Sequence, residues 1–159
     1  MLLRILFLAL ILGFSPVLSA GEGVRPFVAG SLAKIVGERQ GRPFVLAFWS
    51  VTCAHCPGEL KVLGEFRRRN PKLDVVLVAA DTPDEMHLAA ELAGKYGLGK
   101  VEQWVFADNM PERLNYEIDP RWHGELPRTH FYGRQQRMDV VAGVVPRPQL
   151  AAWVKANVR

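Results

Sequence analysis

The longest apolar runs of the chain show no regular alternation of hydrophobic and polar positions. Residues 44–50 and residues 73–80 are almost continuously apolar. Such runs are typical of strands that are covered on both faces of a sheet. Between the two runs, apolar residues recur at helical spacing from about residue 56 to residue 69. The predicted face of this helix consists of Leu60, Leu63 and Phe66. The pattern therefore predicts a strand, a helix and a second strand.

Turn residues and caps indicate the remaining elements. These are a short helix capped by Ser31, a helix after a capping box of Thr82 and Glu85, a strand over residues 101–106, a helix over 111–118, a loop over 119–127, a hairpin of 129–132 and 138–145 around the turn 133–136, and a helix over 146–158. The buried face predicted after the capping box consists of Leu88, Leu92 and Tyr96. This order predicts one α/β domain with a mixed central β-sheet flanked by helices.

The first twenty residues have the pattern of a secretory signal peptide. Arg4 precedes an apolar run over residues 5–14, and small residues stand ahead of a polar segment. The run is shorter than the ~20 residues that a membrane-spanning helix needs. We therefore expect residues 1–20 to be a signal peptide, residues 21–159 to be the folded domain, and the protein to be exported to the periplasm. An uncleaved leader that tethers the domain to the membrane is the alternative.

The chain contains two cysteines, Cys53 and Cys56, at the junction of the predicted strand and helix. In an exported protein a disulfide between them can persist. A disulfide that closes so short a loop stabilises little, since the entropic gain grows with loop length. The spacing therefore favours a redox-active pair over a structural cross-link. Pro57 after the second cysteine excludes a haem attachment motif, and a structural zinc site would need a second pair of ligands.

Charge does not indicate a nucleic-acid partner. The net charge is +4 and falls to +3 when Arg4 leaves with the leader. The densest basic run, residues 67–69, falls at the predicted end of a helix, where positive side chains complement the helix dipole. No aromatic residues are interleaved with these arginines. The sequence also carries no nucleotide or flavin motif, so we expect no cofactor. We also expect a monomer without a metal or a nucleic-acid partner.

Four motifs between residues 48 and 129 match one known family. They are Phe48-Trp49, Cys53-Ala54-His55-Cys56, Glu59 three residues after the second cysteine, and Leu126-Pro127-Arg128-Thr129 at the start of the predicted hairpin. Together they resemble the thioredoxin superfamily, and within it the exported TlpA/ResA-like thiol-disulfide oxidoreductases. The resemblance covers about residues 40–158. It implies a thioredoxin-like fold in which residues 101–118 supply a strand and a helix inserted before the late hairpin.

The resemblance also implies a surface that binds the substrate. It implies a cis peptide bond between Leu126 and Pro127, which costs little before proline. The backbone of Leu126 would then lie beside the cysteines, where a substrate chain can pair with it. Trp49 would pack near the disulfide and shield it. We therefore assign Trp49, Leu126 and Pro127 to substrate binding.

Two positions depart from the family pattern. Thr52 stands before the first cysteine, where many relatives have a second tryptophan, and Ala47 stands where thioredoxin has a buried acid. Without that acid, proton transfer needs another group. Glu59 is our candidate, because a carboxyl desolvated beneath Cys56 would have a raised pKa and could exchange the proton of that cysteine. An ordinary first-turn glutamate that complements the helix dipole is the competing interpretation.

The expected chemistry starts from a thiolate, which is the attacking form of a cysteine. The unpaired N–H groups at a helix start favour an anion at Cys53. His55 would add a charge interaction of up to about 4 kcal/mol at ~4 Å and an effective dielectric constant of ~20, unless it simply faces solvent. We expect an exposed, nucleophilic Cys53 that forms a mixed disulfide, and a buried Cys56 that resolves it.

Three functions compete at this stage. The leading hypothesis is a reductase of disulfides in partner proteins that receives its electrons from a membrane-bound donor. The second is a disulfide oxidase or isomerase, which His55 favours because a stabilised thiolate makes the disulfide more oxidising. The third is a Cu(I) carrier that uses the thiolates of Cys53 and Cys56, with or without His55, since soft ligands suit this ion.

Overall fold

The apolar run before the dithiol forms a strand in the middle of the sheet. In the computed structural model, which describes residues 23–158, every side chain of Phe44–Trp49 is buried. The strand pairs with a parallel neighbour on one side and an antiparallel neighbour on the other. A strand covered in this way needs apolar side chains at all positions, which explains the missing alternation. The predicted leader, residues 1–20, lies outside the described residues.

Within residues 23–158, six strands and five helices follow one another along the chain. The strands are β1 (Arg25–Phe27), β2 (Phe44–Trp49), β3 (Val75–Ala79), β4 (Glu102–Phe106), β5 (Arg128–Tyr132) and β6 (Met138–Ala142). The helices are α1 (Ser31–Gly37), α2 (Cys56–Arg69), α3 (Met86–Lys95), α4 (Pro111–Ile118) and α5 (Arg147–Asn157). Short 3-10 turns cover Pro83–Glu85 and Arg134–Gln136. None of these helices is long and apolar enough to cross a membrane.

The strands form one mixed sheet in the order β1-β4-β3-β2-β5-β6. The first four in this order are parallel to one another, and β5 and β6 are antiparallel to their neighbours. Two apolar cores lie on the two faces of the sheet. Helices α2, α3 and α5 contribute to one core, and α1 and α4 contribute to the other. The predicted α/β class, the mixed sheet, and the strand and helix inserted before the hairpin are therefore confirmed.

The topology places the loops that contain the candidate site residues at one edge of the sheet. The parallel strands β2, β3 and β4 end at the same edge, and the antiparallel strand β5 begins there. In open α/β sheets this is the edge at which ligand sites are built. The dithiol after β2, the polar segment after β3 and the proline before β5 share it.

The sequence patterns did not predict β1. It has three residues and includes Pro26, so it is too short for a periodic signal, and it lies at the edge of the sheet. Phe27 holds it in place, with its ring stacked on that of Phe106 at 5.4 Å and edge-on to that of Phe48 at 6.3 Å. Aromatic packing across the sheet, rather than local propensity, stabilises this strand.

Two local predictions about helices were wrong. Ser31 is not the cap of α1; Gly30 occupies that position at φ 83°, and the Ser31 hydroxyl instead accepts a hydrogen bond from the backbone N–H of Val28 at 2.9 Å. The predicted face of α3 is wrong at Leu88, which is exposed, whereas Leu92 and Tyr96 pack against the core beside the buried Ala89 and Ala93. The capping box is present, but it opens a 3-10 turn with fewer residues per turn, which changes the phase of the helix that follows.

Candidate active site

The structure contains a disulfide between Cys53 and Cys56 where the loop after β2 meets α2. The two Cα atoms are 5.4 Å apart. Cys56 is the first residue of α2 and is completely buried, whereas Cys53 lies in the loop and is partly exposed. Cys53 is therefore more accessible to solvent than Cys56. This is the difference expected if Cys53 attacks the substrate and Cys56 resolves the mixed disulfide.

The start of α2 directs a backbone N–H group at the more exposed sulfur. The N–H of Cys56 donates to Sγ of Cys53 at 3.2 Å. It is one of the first amides of the helix, which have no acceptor within the helix itself. With the positive end of the helix dipole, this donor would stabilise a thiolate at Cys53 once the disulfide is reduced.

His55 lies immediately before α2, at the position of the N-terminal cap. Its side chain is exposed and makes no capping hydrogen bond. Its backbone carbonyl accepts a hydrogen bond from the N–H of Gly58 at 3.1 Å. The imidazole can therefore affect a thiolate at Cys53 only through its charge, and solvent screens that interaction.

Glu59 is the carboxylate placed on the helix side of the site, and it is fully buried. One carboxyl oxygen accepts a hydrogen bond from the Thr129 hydroxyl at 2.8 Å, and the other accepts one from the backbone N–H of Val145 at 2.7 Å. Burial raises the pKa of Glu59, and the hydrogen bonds from Val145 and Thr129 oppose this without reversing it. Three residues after Cys56, the side chain lies on the same side of α2 as that cysteine.

The sheet explains how Glu59 can serve a site in which β2 has no acid. Thr129 in β5 lies directly opposite Ala47 in β2, and its hydroxyl donates to Glu59. The Glu59 carboxylate therefore reaches from α2 to the level of the Ala47–Thr129 pair in the sheet, where β2 contributes only the methyl group of Ala47. A buried carboxyl is present in the site, and it is supplied by α2.

The three residues assigned to substrate binding lie in two different environments. Trp49 is 1% exposed and packs in the same core cluster as Cys56 and Leu60. The peptide bond between Leu126 and Pro127 is cis, as the resemblance implied. Leu126 is partly exposed and packs against the core that Cys53 also contacts, while the Pro127 carbonyl accepts a hydrogen bond from Gly143 at 2.8 Å.

Asp81 is a second buried acid at this edge that the sequence analysis did not assign to the site. It follows β3, is 7% exposed and accepts a hydrogen bond from the Ser50 hydroxyl at 2.7 Å. It also accepts from the backbone N–H of Val51 at 3.1 and 3.2 Å. Burial raises the pKa of Asp81. The sequence signal for it is an acid directly after an apolar strand.

A polar chain behind the proline was also missed. His130 is fully buried between Phe48 and Tyr132, and burial lowers its pKa to about 4. Its Nε2 accepts a hydrogen bond from Arg128 at 3.1 Å, and Arg128 forms an ion pair with Asp119. These contacts among His130, Arg128 and Asp119 connect β5 to the segment that precedes Leu126. His87 and His123, in contrast, are exposed.

The fold and the site define a class: thioredoxin-like proteins with a Cys-x-x-Cys disulfide at the amino end of a helix. Solved structures with a similar fold carry names of the same kind. A secreted Mycobacterium tuberculosis disulfide oxidoreductase homologous to E. coli DsbE is 24% identical, with a TM-score of 0.60 over 76% of this chain and 85% of that chain. The DsbF protein of M. tuberculosis is 25% identical, with a TM-score of 0.58 over 76% and 84%.

More distant relatives have the same fold. A thiol:disulfide interchange protein of the thioredoxin family from Chlorobium tepidum is 12% identical, with a TM-score of 0.58 over 77% of this chain and 83% of that chain. No family model matches the chain, and no curated protein matches its sequence. The likenesses confirm the predicted thioredoxin-like fold.

Proposed function

We propose that this chain is an exported thiol-disulfide oxidoreductase that reduces disulfides in partner proteins. The observation that carries the proposal is the pair of sulfurs at the start of α2, one partly exposed and one buried. A buried carboxyl on the same side of the helix as the buried sulfur supplies the proton transfer that the reaction needs.

The reaction consists of two exchanges. The Cys53 thiolate attacks one sulfur of a substrate disulfide, which forms a mixed disulfide and releases the first substrate thiolate. Cys56 then gives up its proton and attacks Sγ of Cys53, which forms the Cys53–Cys56 disulfide and releases the second substrate thiolate. Two electrons pass to the substrate, the proton of Cys56 passes to Glu59, and the two released substrate thiolates take up protons from the solvent.

Glu59 is the group that handles the proton of Cys56. A buried thiol ionises reluctantly, because burial disfavours the thiolate. Glu59 lies on the same side of α2, and its raised pKa brings its affinity for a proton closer to that of a thiol. It accepts the proton when Cys56 attacks and returns it when the disulfide is reduced again.

A disulfide oxidase or isomerase is the second candidate, and the position of His55 at the helix start is the observation that favours it. Equilibration of the protein with glutathione separates the two directions. We expect a potential near that of thioredoxin, about −270 mV, and a value near that of DsbA, about −120 mV, would contradict the reductase proposal.

The export proposal rests on the pattern of residues 1–20 and on the resemblance to a secreted protein. A protein that works outside the cytosol needs reducing equivalents from elsewhere, so we propose a membrane-bound electron donor and a monomer that docks on it. Cell fractionation followed by sequencing of the mature amino terminus tests the compartment and the cleavage. Recovery of the protein with an intact leader in the soluble cytosol would contradict it.

Trapping identifies the substrate. In Cys56→Ser the first exchange proceeds and the second does not, so the partner protein stays attached to Cys53 and can be identified by mass spectrometry. The matched control is Cys53→Ser, which retains the buried cysteine and should capture nothing. Equal capture by the two variants would show that the cysteines do not divide the roles in this way.

A further inference from the structure

Asp81 is bonded to the loop that carries Cys53, although it does not contact the sulfur itself. Its carboxylate is almost completely buried at the end of β3 and faces Ser50 and Val51 from the neighbouring strand end. A carboxylate in this setting loses much of its hydration, so its hydrogen bonds to the loop replace bonds to water. Among the described acids of the site, it is the one on the Cys53 side, whereas Glu59 lies on the Cys56 side.

A short series of hydrogen bonds connects Asp81 to Cys53. The single hydroxyl proton of Ser50 is donated to Asp81. The Ser50 hydroxyl oxygen is thereby left to accept bonds from the N–H of Thr52 at 3.1 Å and from the Thr52 hydroxyl at 2.9 Å. The Ser50 carbonyl accepts the N–H of Cys53 at 3.3 Å. The amides of three successive residues are therefore oriented by Asp81 and Ser50.

This loop has no strand or helix to hold it, because β2 ends at Trp49 and α2 begins at Cys56. In the reduced protein no disulfide holds Sγ of Cys53, so its contact with the Cys56 N–H would depend on how the loop positions that sulfur. We propose that Asp81 is a positioning residue for Cys53, holding the loop so that the sulfur faces the helix amide that stabilises its thiolate. The inference rests on the proposed oxidoreductase function and adds a residue to its site.

A direct effect of the Asp81 charge would have the opposite sign. A carboxylate near a sulfur disfavours the thiolate, so removing the charge alone would lower the pKa of the Cys53 thiol. Loss of the positioning contacts raises that pKa instead, because the sulfur no longer meets the helix amide. The direction of the change therefore separates the two roles.

The test compares Asp81→Ala and Asp81→Asn in a Cys56→Ser background, in which Cys53 is the only thiol. The pH dependence of alkylation by iodoacetamide reports the Cys53 thiol pKa. We expect Asp81→Ala to raise it by about one unit, which is a roughly tenfold loss of alkylation rate below that pKa. Asp81→Asn removes the charge but keeps one acceptor for the loop, so the two effects oppose each other and its Cys53 thiol pKa should lie below that of Asp81→Ala.

Two controls define the result. Asp84→Asn removes an exposed charge from the same segment and should leave the alkylation profile unchanged. Ser50→Ala should reproduce much of the Asp81→Ala effect, and the double variant should be little worse than either, because the two residues act in one chain. Circular dichroism confirms folding of each variant, and Ser50→Ala, which leaves the Asp81 charge in place, decides the question if Asp81→Ala does not fold.

An unchanged or lowered Cys53 thiol pKa in folded Asp81→Ala, or in Ser50→Ala where Asp81→Ala does not fold, overturns the proposal. Alkylation requires no partner protein and no turnover, so this result is independent of the proposed function. If the unmodified protein failed to reduce insulin with dithiothreitol while the Asp81 variants still shifted the thiol pKa, the oxidoreductase proposal would fail and the positioning role would stand.

Discussion

The two cysteines lie three residues apart, yet one belongs to the surface and the other to the core. On the surface side, Cys53 is partly exposed in a loop with the exposed His55, and its sulfur accepts a hydrogen bond from the backbone N–H of Cys56. On the core side, Cys56 begins a helix whose buried Glu59 is bonded to β5 and to the segment before α5. In the proposed mechanism, the exposed thiol attacks the substrate, whereas the buried thiol gives up its proton to a carboxyl before it reacts.

The difference shows what burial contributes to a dithiol site. Charge near Cys53 is screened by solvent, so fixed backbone groups are the effective means of stabilising its thiolate there. Near Cys56, solvent is excluded and a single carboxyl is enough to control the proton. Changes on the core side should therefore have larger effects than changes on the surface side.

The largest effect is expected from Glu59→Gln. The amide can accept from Val145 and donate to Thr129, so both contacts of the side chain are retained while the proton acceptor is lost. We expect turnover in insulin reduction to fall by about a hundredfold or more, as is usual when a general base is removed. The pH–rate profile should also lose the limb that Glu59 produces.

The matched control is Glu65→Gln on the same helix. Its carboxylate pairs with Arg147 at the surface, where such pairs contribute little. Turnover should stay close to that of the unmodified protein. If the two variants behaved alike, Glu59 would be a packing residue. It would then not exchange the proton of Cys56.

A second effect concerns stability at acid pH. His130 is buried and its pKa is lowered from 6.5 to about 4, so the unfolded chain binds a proton that the folded chain does not. The contribution of His130 is complete above pH 6.5 and is lost as the pH falls toward 4. Over that range we expect a loss of about 3 kcal/mol in the free energy of unfolding.

Urea denaturation of the unmodified protein and of His130→Gln between pH 7 and pH 4.5 measures this loss. The variant should show a shallower decline, whatever its stability at neutral pH. Glu59 has the opposite sign: its pKa is raised above 4.5, so its ionisation costs stability as the pH rises. Equal slopes for the two proteins would show that His130 is not responsible.

The smallest effect is expected from His55→Ala. The imidazole is exposed and makes no capping hydrogen bond, so its charge acts on the Cys53 thiolate through solvent. We expect the rate of Cys53 alkylation at neutral pH to fall about two- to threefold at low salt and less at high salt. A loss as large as that expected from Asp81→Ala would place the main control of Cys53 on the histidine and favour the oxidase alternative.

Several elements could be predicted because their signals are local. The buried strand β2, the helix after it and the dithiol between them follow from an apolar run, a helical spacing and a pair of cysteines that are contiguous in the chain. Glu59 was named because it follows Cys56 by one helical turn. Strand β1 was not predicted, because three residues at a sheet edge carry no periodicity.

The sequence by itself determined the central strand, the helix and the place of the two sulfurs, because these depend on residues that are neighbours in the chain. The tertiary structure decided which polar groups meet them. Glu59 is bonded to groups 70 and 86 residues away, and Asp81 to Ser50 across 31 residues. Such contacts depend on strand order, register and burial, which exist only once distant segments have packed together.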